Sequence, residues 1–195
     1  MKTIISISIF CLMGSLSPAA QSQRPNIIMF LIDDQNPSSI AAFGGDTYTP
    51  NLDRMAQEGM KFTRAYVSSS VCTPSRYSFL TGRFAGNSHS KLYVDAVGGK
   101  ENQGLPDFNV ALERDNMNVG NVLREAGYTT GFVGKFHLTS NLDFPEFYKG
   151  KDKWINLPKT ARPGPETSAQ FKHNERWMRR YLNELGFSWA KNVYP

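Results

Sequence analysis

Cysteine is nearly absent: only Cys11 and Cys72 occur in 195 residues. Cys11 lies in an apolar leader, Ile4 to Met13, that follows Lys2 and ends in Ser17-Pro18-Ala19-Ala20. That order of a charged start, an apolar run and small residues is the pattern of a secretory signal peptide over residues 1–20. Cleavage near Ala20 leaves Cys72 as the single thiol, which excludes an internal disulfide framework. Phe10 is too bulky to precede a lipidated cysteine. No apolar run reaches the roughly 20 residues that a membrane-spanning helix needs, so no stable membrane anchor is expected. Charge is also modest: 22 Lys and Arg against 17 Asp and Glu give a net +5. This mild, evenly spread balance gives no nucleic-acid footprint. Repeats and low-complexity tracts are missing too. What remains, 40% hydrophobic and 20% charged, is ordinary globular composition.

Hydrophobic patterning predicts an α/β fold. Ile27 to Ile32 is a continuous apolar run of strand length, suited to burial on both faces, and it ends in Asp33-Asp34. Thr49-Pro50 opens a helix that stops at Gly59, and Lys61 to Val67 alternates like a strand. A second helix is expected from Thr73-Pro74 to Gly82, with Thr73 as its cap. Residues 87–114 read as a long surface loop. Asn118 caps a helix ending at Gly127, followed by a strand from Thr129 to Val133. A last helix is expected to begin with the capping box Thr167 to Gln170, bury Phe171, Met178, Leu182 and Leu185, and end at Gly186. Its charges form a solvated face. Alternating strands and helices imply a mainly parallel sheet flanked by helices on both faces.

Three places carry residues suited to chemistry. Adjacent carboxylates at a strand's C-terminal end repel unless a cation neutralises them, which makes Asp33 and Asp34 candidate hard-metal ligands as well as candidate solvated turn residues. Cys72 stands at a helix N-terminus, where unpaired N–H groups favour an anion, and Arg76 adds a full charge one turn on. Three residues separate Cys72 from Arg76. That spacing is too short for the anion loop of a protein tyrosine phosphatase. Lys135 and His137 are two residues apart, a separation that returns both to one face of an extended segment.

The run Cys72-Thr73-Pro74-Ser75-Arg76 with Thr81-Gly82-Arg83 resembles the C-x-P-S-R-x-x-x-x-T-G-R pattern of the cysteine-type sulfatases, in the alkaline phosphatase superfamily. Gly134-Lys135-Phe136-His137-Leu138 is similar to the G-K-W-H-L of that family, with Phe136 replacing the usual Trp. Residues 26–34 and 49–59 resemble it in the same order. The resemblance implies that Cys72 is oxidised to Cα-formylglycine by a formylglycine-generating or sulfatase-maturing enzyme that reads Pro74 and Ser75. Its hydrated aldehyde attacks sulfur with one hydroxyl and expels sulfate with the other. It further implies Asp33, Asp34 and the modified Cys72 as ligands of Ca²⁺, with Mg²⁺ as an alternative. Arg76 would steady the modified residue, Lys135 would contact sulfate and His137 would hydrogen-bond the hydrated aldehyde. His89 matches the family poorly in offset, and His173 reads as helix surface.

Calcium takes about six to eight oxygen ligands, and the family completes its shell with a later Asp-Asn pair. It also adds a later lysine and a later histidine as leaving-group acid. No matching segment precedes Pro195, so residues 24–195 are expected to be the N-terminal portion of the catalytic domain. The function implied is a secreted or periplasmic sulfuric ester hydrolase acting on a sulfated glycan. Two alternatives stand beside it: a phosphate or phosphonate monoester hydrolase of the same superfamily, and a non-catalytic binding fragment.

Overall fold

The computed structural model describes residues 24–150 and 153–194. The leader over residues 1–20 lies outside the described residues.

Among the described residues, five helices and two strands make up the regular structure, with short 3₁₀ turns between them. Helix α1 spans Pro50–Glu58, α2 Cys72–Thr81, α3 Lys91–Ala96, α4 Val119–Glu125 and α5 Pro165–Glu184. Strands β1, Gly131–Lys135, and β2, Trp189–Tyr194, pair in parallel, with a register shift between Val133 and Gly134. Helix α5 is the crossover between them and packs on the sheet. This is the connection that parallel strands require.

The core is gathered on α5. Trp177, Met178, Tyr181 and Leu182 are buried against Phe136, Leu138, Phe144 and Phe147. Trp177 stacks on Tyr181 at 5.2 Å, and Tyr181 meets Phe144 at 4.3 Å. Tilted and edge-on aromatic pairs of this kind add to the apolar burial that holds the helix down.

Several expectations change at this level. Parallel pairing is present, but residues 27–32 form no strand, and residues 61–67 form none either and contain a turn at 63–64. Ile28 and Phe30 are more than three-quarters exposed. A run buried on both faces needs hydrogen-bonded neighbours and covering layers, and the described residues give this one neither. Helix α2 begins two residues early, with Val71 in place of Thr73 at the N-cap position, so Thr73 sits inside the first turn and is no cap. Helix α5 also begins early, at Pro165 after Gly164, without the Thr167 capping box, and Phe171 faces solvent. The predicted loop over 87–114 holds α3 and a buried run, Val110 to Glu113.

Other local readings hold. Pro50 and Gly59 bound α1. Asn118 caps α4 by accepting from the N–H groups of Gly120 and Asn121. Gly82, Gly127 and Gly186 adopt the left-handed conformation that ends a helix without a Cβ penalty.

Candidate active site

The site assembles where α2 starts and β1 ends. The first turn of α2 carries Cys72 and Arg76, with Ser75 N–H bonded back to the Val71 carbonyl at 3.1 Å. Cys72 is half-buried. Its Sγ lies 3.2 Å from His137 Nδ1, within hydrogen-bond reach across 65 residues of chain.

Arg76 is held from two directions. Its side chain is only 9% exposed. Nη1 donates to the Lys135 carbonyl at 2.7 Å, and Nη2 donates to Asp33 Oδ1 at 3.3 Å. Its buried Nε has no hydrogen-bond partner. Lys135 Nζ donates to the second oxygen, Asp33 Oδ2, at 2.7 Å. Asp33 therefore lies between two cations, each on its own carboxylate oxygen.

The electrostatics follow from that arrangement. The Lys135 ammonium first, and the Arg76 guanidinium after it, hold the Asp33 carboxyl below its ordinary range. Asp33 in turn raises Lys135. Burial lowers His137, and the positive charge of Lys135 and Arg76 lowers it further, which favours the neutral imidazole beside Cys72. A neutral imidazole can accept a proton from a hydroxyl placed at position 72, or donate a hydrogen bond to it.

Lys135 and His137 do reach one site, but strand alternation does not bring them there. Strand β1 ends at Lys135, Gly134 has φ +96° and His137 has φ +57°. A non-glycine residue in the left-handed region costs about 1–3 kcal/mol and is held there by its surroundings. Those surroundings are Phe136 and Leu138, both fully buried on either side of it. Phe136 packs edge-on against Tyr181 and Phe132, so the aromatic at this position serves packing.

The acidic pair fits a hard cation in donor chemistry, since both residues offer carboxylate oxygens. Asp34 has φ +55°, which turns the chain sharply after Asp33. Among the described residues no group of three or more His, Cys, Asp and Glu gathers as a metal cluster. Both Asp33 oxygens accept from Arg76 and Lys135, so Asp33 and Asp34 alone would offer a cation only part of a coordination shell.

The remaining histidines are engaged elsewhere. His89 pairs with Asp115 at 3.0 Å, and His173 Nε2 meets the Lys153 carbonyl at 2.8 Å. One neighbour of the site escaped sequence reasoning: the Phe108 ring lies 5.4 Å from the His137 ring. The apolar run Val110-Ala111-Leu112 that anchors its loop is the signal that could have found it.

Comparison with known proteins decides the lineage. Residues 25–186 match the family model described as Sulfatase. The chain belongs to the sulfatase family. It is similar to arylsulfatase G of Homo sapiens, 32% identical over 167 residues, covering 84% of this chain and 29% of that protein. N-acetylgalactosamine-6-sulfatase of Canis lupus familiaris is 36% identical over 156 residues, covering 74% and 28%. The crystal structure of Ps i-CgsB superposes with a TM-score of 0.50 at 23% identity, over 88% of this chain and 45% of that one. At that identity the likeness is one of fold. The chain spans under a third of the length of the two curated relatives.

Proposed function

We propose that this sulfatase-family chain carries the nucleophile side of a sulfuric ester hydrolase site, with Cys72 converted to formylglycine and a sulfated glycan as substrate. The observation that carries the reading is the 3.2 Å approach of Cys72 Sγ to His137 Nδ1, beside the linked Arg76, Asp33 and Lys135. The choice of glycan rests on relatives named N-acetylgalactosamine-6-sulfatase.

Each residue has a part. Arg76 and Lys135 present positive charge to an anionic ester and to the charge that develops on its oxygens. Arg76 also ties α2 to the end of β1 through the Lys135 carbonyl, which fixes the distance between the nucleophile and the cations. His137 holds or accepts the proton of a hydroxyl at position 72. Formylglycine, once formed, supplies an oxygen nucleophile that can also release the sulfate it has captured. Asp33 and Asp34, with an oxygen at position 72, would hold Ca²⁺ or Mg²⁺, which supplies further positive charge to the sulfate oxygens. Conversion of Cys72 requires a maturing enzyme, and the apolar leader of the sequence supports the reading of a secreted or periplasmic chain.

Turnover of an aryl sulfate and an aryl phosphate by the full chain, matured in the same host, tests this. Hydrolysis of the sulfate ester in preference, lost in Cys72→Ala, is expected. Preference for the phosphate would move the assignment to a phosphate monoester hydrolase. Calcium binding in the presence of a sulfate ester, without any turnover, would favour a non-catalytic binding role.

A further inference from the structure

The segment between α3 and α4 holds an aromatic ring that its own fold does not bury. Phe108 is 62% exposed. Its partner is the His137 ring, at 5.4 Å between centroids with the planes inclined by 41°. His137 lies 3.2 Å from Cys72, so Phe108 stands one side chain away from the nucleophile position.

The exposure is built into a tied loop. Asn109 Oδ1 accepts from the Asp107 N–H at 2.7 Å, and Asn109 Nδ2 donates to the Leu105 carbonyl at 3.4 Å, closing a turn around Phe108. Directly after it, Val110, Ala111 and Leu112 are fully buried. Leu112 N–H donates to the Leu138 carbonyl at 3.1 Å, which fastens this loop to the residue that follows His137. The same linkage therefore sets both the nucleophile's histidine and the phenyl ring beside it. An apolar face presented beside convergent polar groups is the make-up of a ligand site.

Resting on the sulfate ester reading above, we propose that Phe108 is the platform for the alcohol part of the substrate, taking the C–H face of the pyranose that bears the sulfate. Arg76 and Lys135 grip the anionic group through their charged tips and offer a sugar no flat apolar face. Phe108 offers only apolar surface and no charge. The two halves of a sugar sulfate are thus read by different residues, and they can be separated by comparing the sugar sulfate with inorganic sulfate.

The test is equilibrium binding by calorimetry to the full chain in the Cys72→Ala background, where position 72 carries no nucleophile and ester is not consumed. The ligands are N-acetylgalactosamine 6-sulfate and inorganic sulfate, and the variants are Phe108→Ala and Phe108→Trp. The Ala variant is expected to weaken the sugar sulfate about fivefold, the scale of one lost aromatic contact, with inorganic sulfate unchanged. The Trp variant should keep the sugar sulfate within about twofold. Equal weakening of both ligands would mean that Phe108 only props His137, and would overturn the proposal. Unchanged binding of the sugar sulfate would overturn it as well. If the parent chain binds inorganic sulfate but gains nothing from the sugar, the platform fails while the anion site stands. If it binds neither ligand, the sulfate ester reading itself falls.

Discussion

At the scale of single residues, the site and the framework beside it use charge in opposite ways. Asp33 is open to solvent on one side and shared by Arg76 and Lys135, whereas Glu113 is 3% exposed and enclosed by hydrogen-bond donors. Ser88 Oγ donates to Glu113 at 2.6 Å, the N–H groups of His89 and Ser90 at 2.9 and 3.0 Å, and Tyr77 and Asn116 complete the cage. Burial alone would raise the Glu113 carboxyl, but these donors outweigh it and hold it below its ordinary 4.5. A folded-state value that is depressed gives stability that is present above the unfolded value and lost as pH falls through the folded one. Glu113→Ala should therefore cost roughly 2–4 kcal/mol near neutral pH, because it strands several buried donors. Urea unfolding should show the gap between parent and variant closing in acid; a gap that stays constant with pH would contradict the charged-cage account. Cys72, Arg76, Lys135 and His137 were legible as candidates because each lies in a short local motif, although the left-handed turn at His137, and not strand alternation, brings Lys135 and His137 together. Glu113 and Phe108 were not, since a buried carboxylate and a ring beside a histidine are made by contacts far apart in the chain.

At the scale of elements, helix ends were more legible than strands. Asn118 acts through its side-chain oxygen on the N–H groups two and three residues on, and Gly82 and Gly186 through their own backbones, so the signal is local. Strand identity depends on a neighbour, and Ile27 to Ile32 has the composition of a buried strand without a ladder partner among the described residues. The turn from α5 to β2 is the most demanding junction. Gly186 has φ +96°, and a Cβ there would lie 2.6 Å from the Asn121 backbone nitrogen. Gly186→Ala is expected to lose about 2–3 kcal/mol from strain and displacement of α4 together. Thermal unfolding checks this, and an unchanged midpoint would mean that α4 and the α5–β2 turn are not packed as described. Since β2 also accepts the Phe136 N–H at the Tyr194 carbonyl, 3.0 Å away, a loosened turn should reach the His137 segment.

Over the whole molecule, among the described residues, the folded core lies on α5 while residues 24–67 contribute no buried side chain. Ile28, Phe30, Met60 and Phe62 are all at least two-thirds exposed, and Ile27 to Leu31 line an apolar cleft against β1. Contiguous apolar surface beside an uncovered sheet edge promotes association. The chain is expected to self-associate with rising concentration in sedimentation velocity, and Phe30→Lys to reduce this; a monomer at all concentrations would show that the run is covered. The parallel α/β character was legible from the alternation of patterns, but the number of strands that pair was not, because pairing is decided by layers that lie beyond any one segment. The central claim, that Cys72 is the precursor of a formylglycine nucleophile, is reached most directly by weighing one peptide. Trypsin should cut after Arg64 and Arg76 and release Ala65 to Arg76 from material matured in an exporting host. The account predicts a mass lowered by the loss of sulfur and two hydrogens and raised by one oxygen; an intact cysteine that still takes an alkylating reagent would contradict it.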